Sequence, residues 1–296
     1  MFEKKGSAVC VAPAYAFMSA LRFEETYAAG GGWHLHATRG AILDTEQRQQ
    51  WQEDLDVCAL PSMLFGATTL SLRHAPSGAC FRFDARGALT RWAQDKEQAP
   101  AKVALAAAWA AARSETIARL GTVSEDYDWT FSTRYVGESE GARWEAGGPG
   151  LDKALLTARD PILFYQEAVL YEDELDDNGV SVASVKVRVM PSCWLVLFRF
   201  WLRVDHVLLR LRETRLMAIF GGGGVTPRVV REVSEREQTW EEMVAQGRSP
   251  NPILYRDADE VAQWLPLTAK TLEQATLSSE EEVVAGAAAD VEGAMS

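Results

Sequence analysis

The chain has 296 residues, a length that permits one large domain or two small ones. Apolar residues make up 47% and charged residues 24%, which is a globular composition and excludes wholesale disorder. The 42 acidic and 30 basic side chains give a net charge of -12, which repels nucleic-acid phosphates and anionic lipid. We therefore expect a protein or small-molecule partner, no nucleic acid and no membrane.

The negative charge is concentrated at the carboxyl end. Residues 278–296 hold five acids and no Lys or Arg, so five of the twelve net charges lie there. Such a segment buries too little apolar surface to offset its ordering entropy. We predict a loosely ordered leader over residues 1–29, a single α+β domain over 30–277 and an acidic disordered tail over 278–296.

The four cysteines are far apart and form no CxxC pair, so neither a zinc site nor a disulfide framework is predicted. No motif calls for a cofactor. The amino terminus lacks the basic start and apolar run of a secretory signal, and the most apolar segment, 194–211, carries Arg, Asp and His side chains. We expect a cytoplasmic protein, with the nucleus as a second compartment.

The first capped helix is predicted after Asp44. Asp44 precedes Gln47 by three residues, the spacing of a capping box, and Trp51 and Leu55 follow at helical spacing. Pro61 marks the latest point at which this helix ends.

A β-hairpin is predicted next, over residues 68–84. Leu and Phe alternate with polar residues on both sides of a Pro-Ser-Gly cluster at 76–78, which supplies the turn. An Ala-rich run that follows Pro100 and ends at Leu120 predicts a helix by propensity.

The middle of the chain is predicted to be mostly strand. Alternation over 129–132 favours a strand, and Asp160 with Pro161 favours a short helix. Residues 168–175 fit either element, and we favour a strand because Asn178 and Gly179 form a strong hairpin signal. The alternating valines that follow, at 185, 187 and 189, are expected to face the core.

The segment 194–213 predicts a third hairpin. With Asp205 and His206 as a two-residue turn, Phe200 pairs with Leu211 and one face is wholly apolar. The opposite face then places Trp201 beside Arg210 as a cation–π pair, and Arg199 beside Arg212.

Two arginines directly across a strand pair repel each other, so this face needs negative neighbours. Two interpretations stay open for it. Glu172 and Glu174 of the preceding hairpin supply the negative charge, or the face binds an anionic partner.

The remaining chain predicts helices and little catalytic chemistry. Ser234 with Glu237 and Asp257 with Glu260 have capping-box spacing ahead of apolar residues. The glycines at 221–224 lack the Lys and Ser/Thr of a phosphate-binding loop, so they predict a simple loop.

Three chemical alternatives are disfavoured. The acidic stretch from Glu174 resembles an EF-hand start, but its twelfth position is Val185 where a Glu is required. His34 and His36 share a strand face without a third ligand nearby. Glu172 with its acidic neighbour offers an acid–base pair without a pocket, so a hydrolase is a minor alternative. We expect no catalytic residue and no metal.

Four long runs of the sequence are distinctive: LPSMLFG at 60–66, YDWTFSTRY at 127–135, LYEDELDDNGVSVASVKVRVMPS at 170–192 and FRFWLRVDHVLLRLRETRL at 198–216. These runs resemble the TIPRL family of TOR-signalling regulators, and a weaker likeness extends from about 30 to 267. The leader, the Ala-rich segment, the glycine loop and the acidic tail depart from the family.

The resemblance implies antiparallel sheets flanked by helices and a non-enzymatic regulator. It implies binding to the catalytic subunits of type 2A, type 4 and type 6 serine/threonine phosphatases, with inhibition or altered holoenzyme assembly in TOR signalling. A scaffold that binds an alpha4-type phosphatase chaperone without touching the catalytic subunit is the alternative.

The resemblance also implies a grip on the active-site region and acidic tail of the phosphatase. The Arg and Trp face suits that partner, because guanidinium groups bind carboxylates and a ring stacks on aromatic side chains. The competing interpretation is that these residues close the sheet and cover apolar surface. The predicted partner-binding residues are Leu151, Asp152, Arg199, Trp201, Arg210, Arg212, Glu213, Thr214 and Arg215.

Overall fold

The structure, a computed structural model, describes residues 21–95, 128–221 and 227–277. These residues form two antiparallel sheets flanked by short helices, so the predicted α+β class is confirmed. The strands are β1 (Leu21–Ala29), β2 (Trp33–Gly40), β3 (Met63–Leu64), β4 (Thr69–His74), β5 (Cys80–Asp84), β6 (Glu138–Glu140), β7 (Arg143–Ala146), β8 (Phe164–Asp173), β9 (Gly179–Val189), β10 (Cys193–Val204), β11 (Leu208–Ile219), β12 (Arg228–Thr239) and β13 (Leu267–Thr276). One sheet has the strand order β1-β2-β4-β5-β6 and the other has β3-β8-β9-β10-β11-β12-β13-β7.

The described helices are short and capped by side chains. They are α1 (Thr45–Leu55), α2 (Ala85–Gln94), α3 (Lys153–Thr157), α4 (Trp240–Ala245) and α5 (Ala258–Ala262), with 3-10 turns at Gly30–Gly32 and Pro252–Tyr255. Asp44 and Gln47 form the predicted reciprocal capping box of α1, and Asp257 caps α5 as expected. No helix in these ranges is long and apolar enough to span a membrane.

The main core lies between the two sheets and follows from period-two alternation. Trp33 and Phe83 of the five-stranded sheet pack in one cluster with Val187, Trp194 and Phe198 of the eight-stranded sheet, and all five are fully or almost fully buried. Burying each such side chain contributes about 1.5–3 kcal/mol. The predicted inward orientation of the valines at 185, 187 and 189 is confirmed.

Two of the predicted hairpins, those at 68–84 and around Asn178–Gly179, are confirmed. Leu70 pairs with Phe83 and Leu72 with Phe81 between β4 and β5, around the Pro-Ser-Gly turn. β8 and β9 form the second hairpin, which confirms the strand preference for 168–173. Its turn is longer than two residues, because residues 175–177 all have positive φ.

The predicted register of the β10–β11 hairpin is wrong by one residue. The turn has three residues, because the N–H of Val207 bonds to the carbonyl of Val204 and His206 takes a φ of 62°. Val204 therefore pairs with Leu208, and every later pair shifts. Since the side-chain period of a strand is two, this single step moves the whole β11 pattern to the opposite face.

The predicted strand over 129–132 is absent from the sheets. The carboxylate of Asp128 accepts from the backbone N–H groups of Thr130 and Ser132, and Phe131 between them has a φ of 53°. These bonds turn the chain out of strand geometry. Thr130, Phe131 and Ser132 are all buried, so the alternation of apolar and polar residues here does not mark one buried and one exposed face of a strand.

The short helix, one capping box and the end of the leader differ from the predictions, and three other predictions lie outside the described residues. The short helix lies at Lys153–Thr157 rather than after Asp160, because the Asp152 side chain caps it. The capping box of α4 joins Thr239 to Glu242, since Ser234 lies within β12.

The expected leader over 1–29 also differs, because its last nine residues form β1 and pair with β2. The predicted helix over 100–120, the loop at 222–224 and the acidic tail over 278–296 lie outside the described residues.

Candidate protein-binding surface

The outer face of the eight-stranded sheet, which points away from the main core, is covered at two ends. At one end, α4, α5 and the 252–255 turn bury an apolar cluster around Trp201 and Leu211. At the other end, leucines of and next to α3 pack on Cys193 and Met217. Between these ends the outward side chains are mostly charged.

The charged side chains form two rows that cross the sheet. In register, Glu167, Lys186, Leu197, Arg215 and Glu232 lie side by side on β8 to β12. In the adjacent row, Arg199 of β10 and Glu213 of β11 are partners, followed by Ser234 and Lys270. We call this surface the outer strip, and its charged members are Glu167, Lys186, Arg199, Glu213, Arg215, Glu232 and Lys270.

Glu213 is the buried centre of the outer strip, with a side chain only 2% exposed. Arg199 donates to its Oε1 from Nε at 2.9 Å and from Nη2 at 2.7 Å, and Arg215 donates to its Oε2. Burial lowers the pKa of Arg199, but the charges and hydrogen bonds of Glu213 and Asp259 outweigh it and raise that pKa overall. A buried carboxylate held by two guanidinium groups fixes both arginine side chains.

The solvent side of the outer strip carries paired but accessible charges. Lys186 lies 2.9 Å from Glu167, with side chains 28% and 45% exposed, and Lys270 lies 2.7 Å from Glu232. Arg215 keeps 36% of its side chain exposed. The strip therefore presents partly exposed cations, each paired with a carboxylate, to a partner.

An exposed apolar edge borders the outer strip at the start of β8. Ile162, Leu163 and Tyr165 are each about half exposed. The Tyr165 hydroxyl donates to Glu167 at 2.7 Å, and this hydrogen bond, more than burial, raises the pKa of Tyr165 to about 12. A ring and two aliphatic side chains beside charged groups give an arrangement typical of protein interfaces.

Five of the predicted site residues lie on or beside the outer strip. Arg199, Glu213 and Arg215 belong to it, and Leu151 and Asp152 flank it at α3. Asp152 caps α3 by accepting from two backbone N–H groups, and Leu151 packs beside the Met217 cluster.

Trp201 faces the same side but is only 5% exposed under the α4–α5 cluster. It covers apolar surface, so the competing interpretation of this residue fits the structure and stacking on a partner's ring does not.

The other three predicted residues face inward, which corrects the single Arg and Trp face. Arg210 donates to Ser132 Oγ at 2.9 Å, and Arg212 donates to the Thr133 carbonyl at 3.1 Å. Burial, followed by the charge of Arg210, lowers the pKa of Arg212 to about 10. Thr214 is 1% exposed. Arg210 and Arg212 thus hold the 128–135 segment against the sheet.

The pairings expected around these residues are also corrected. Trp201 pairs with Leu211 and lies on the face opposite to Arg210, so the predicted cation–π pair is wrong. Arg199 opposes Glu213 rather than Arg212, because of the one-residue shift in the turn. Its acidic neighbours are thus Glu213 and Asp259, not Glu172 and Glu174.

Sequence reasoning missed Lys186, Asp259 and Lys270 as parts of this surface. Lys186 would have followed from extending the correct register across β9, but no pattern in the sequence places the α5 residue Asp259 over Arg199. Within the described ranges, no group of three or more His, Cys, Asp or Glu side chains is arranged to hold a metal ion. His36 instead contacts Glu24 at 2.8 Å.

Comparison with known proteins identifies the family of this chain. Residues 63–244, more than half of the chain, match the TIP41-like family. A TIP41-like protein of Arabidopsis thaliana is 40% identical over 265 residues, covering 83% of this chain and 89% of the relative. The Homo sapiens TIP41-like protein is 35% identical over 241 residues, covering 80% and 84%. The type 2A phosphatase activator TIP41 of Saccharomyces cerevisiae is 31% identical over 265 residues, covering 81% and 72%. The chain belongs to the TIP41-like family.

Proposed function

We propose that this protein is a non-enzymatic regulator that binds the catalytic subunit of type 2A serine/threonine phosphatases. The name of the Saccharomyces cerevisiae relative, a type 2A phosphatase activator, supports the regulatory role. A second yeast relative, from Schizosaccharomyces pombe, carries the same description. Both names describe an effect on a phosphatase and not a reaction of the relative itself. Type 4 and type 6 catalytic subunits, a role in TOR signalling and a cytoplasmic location belong to the same proposal.

The outer strip is the surface that we propose for this contact. The observation that carries it is the row of paired charges formed by Glu167, Lys186, Arg215 and Glu232 on β8, β9, β11 and β12, next to the buried carboxylate of Glu213. A preformed surface of fixed side chains loses little conformational entropy on binding. Its cations suit acidic segments of a partner, and the exposed apolar edge at Tyr165 adds contact area.

Charge reversal on the outer strip tests the contact surface. We expect Lys186→Glu and Arg215→Glu each to weaken binding of the purified catalytic subunit at least five-fold, or about 1 kcal/mol, in a surface-immobilised binding assay. Arg91→Glu is the matched control, because Arg91 is exposed on α2, which packs against β5 of the other sheet. Circular dichroism establishes that each variant is folded. Equal binding by all three variants contradicts the proposed surface.

Two further measurements separate the alternatives. Binding that requires an added alpha4-type protein, with no binary complex, favours the scaffold function over direct regulation. A dose-dependent assay of the isolated catalytic subunit then gives the sign of the effect. The yeast names point to activation, whereas the resemblance in the sequence implies inhibition.

A further inference from the structure

We propose that the outer strip contains a binding site, called the seat below, at which Arg199 binds an Asp or Glu side chain of a partner protein. In the unbound protein, Asp259 of this chain occupies the seat. The proposal deepens the proposed function and relies on it only for the identity of the partner. It makes Asp259 an internal competitor of the interaction.

The geometry of Asp259 is that of a bound ligand. Its Oδ1 accepts from Arg199 Nη2 at 2.6 Å, and its side chain is 66% exposed while that of Arg199 is 10% exposed. The carboxylate thus reaches a guanidinium in the floor of the strip from the solvent side. An external carboxylate has the same approach open to it.

The cation of the seat is fixed without Asp259. Both Nε and Nη2 of Arg199 donate to Glu213, whose other oxygen is held by Arg215. Arg199 therefore stays oriented when Asp259 leaves, so the seat persists for another carboxylate.

Three cations converge on this position. The hydrogen bond from Arg199 is the first cause that lowers the pKa of Asp259, and the charges of Arg199, Lys186 and Arg215 add to it. The opposing carboxylates are themselves paired: Glu167 with Lys186, and Glu213 with both Arg199 and Arg215. The seat thus favours a negative group over a neutral one.

Asp259 can leave its seat without unfolding α5. Val261 anchors this helix in the apolar cluster, and the Asp257 side chain caps it by accepting from the backbone N–H of Asp259. Neither contact uses the Asp259 carboxylate. An ion pair with one exposed partner is worth about 0–1 kcal/mol, so a partner that adds contacts of its own displaces it.

The first test uses a small probe and the full-length chain. A blocked triglutamate peptide is titrated into wild type, Asp259→Asn and Glu260→Gln while the side-chain Nε–H signal of Arg199 is followed by NMR. Glu260→Gln removes the same charge from the same helix at an exposed position. We expect Asp259→Asn to bind the peptide about five-fold more tightly than the control, the equivalent of a lost surface ion pair. Equal affinity of the two variants overturns the seat.

The second test uses the type 2A catalytic subunit in place of the peptide. We expect the same five-fold gain for Asp259→Asn over Glu260→Gln. Weaker binding by Asp259→Asn overturns the proposal, because Asp259 then contacts the partner itself. Peptide binding without any binding of the catalytic subunit leaves the seat standing and refutes the proposed function. If the two variants bind the catalytic subunit equally well and do not differ toward the peptide, the seat is refuted and the proposed function stands.

Discussion

Removal of the Glu213 carboxylate is the sharpest perturbation of the outer strip. Glu213→Ala leaves Arg199, only 10% exposed, without its main partner. Loss of one member of a buried ion pair costs about 3–5 kcal/mol. The lower end applies, because Arg199 keeps Asp259 and Arg215 keeps Glu232 at 3.5 Å. We expect a loss of about 3 kcal/mol in the free energy of unfolding, which lowers the melting temperature by roughly 6–12 °C at this chain size.

The assay is urea unfolding followed by tryptophan fluorescence, with Glu167→Ala as the matched control. Glu167 belongs to the same strip but is 45% exposed and pairs with Lys186 at the surface. Its removal should cost less than about 1 kcal/mol. A loss for Glu213→Ala no larger than that of the control refutes the reasoning that burial sets the cost.

A combined variant tests the same reasoning from the other side. Arg199→Met together with Glu213→Leu replaces the buried pair by apolar side chains of similar length. Such replacements are often neutral or stabilising, whereas single removals are costly. We expect the combined variant to recover most of the loss of Glu213→Ala, and additive losses contradict this.

Two further predictions concern the β8–β9 hairpin. Gly179→Ala should destabilise the fold by about 3 kcal/mol, because the new Cβ would lie 1.9 Å from the Arg203 carbonyl. Gly78→Ala, also at a positive φ (+70°, against +151° at Gly179) but with open space around the new Cβ, should cost only about 1 kcal/mol. Equal unfolding free energies of these two variants contradict the prediction. Burial and then the charge of Glu174 raise the pKa of Glu172, so ionisation costs stability as pH rises through that pKa. Glu172→Gln should therefore gain stability over wild type at pH 7 relative to about pH 4, and a constant difference in urea melts contradicts it.

The sequence predicted strands correctly where apolar and polar side chains alternate regularly along the chain. The hairpin at 69–84 and the inward valines of β9 follow from alternation alone, because one face of each strand meets the core. The Asn178–Gly179 signal identified a real hairpin. Gly179 is also required for a second reason, because its backbone lies too close to β10 to leave room for a Cβ atom.

The candidate site was predicted in part because one turn was assigned one residue too short. A left-handed His206 extends the turn to three residues, and the sequence pattern allowed either length. β11 is buried on both faces, so its two possible registers both place apolar side chains inside. The error moved Arg210 and Arg212 to the wrong face and hid the pairing of Arg199 with Glu213.

The eight-stranded sheet has an inner face and an outer face, and its arginines do different things on each. On the inner face, Arg212 uses its donors to satisfy the Thr133 carbonyl of an irregular segment that has no strand partner. On the outer face, Arg199 and Arg215 hold the buried carboxylate of Glu213. Arg199 also binds a carboxylate that approaches from the solvent side, and Arg215 keeps 36% of its side chain exposed. The first arrangement consumes the guanidinium in the fold. The second keeps it available, and for this reason the outer strip, rather than the arginine content of β11 as a whole, is the surface expected to meet a partner.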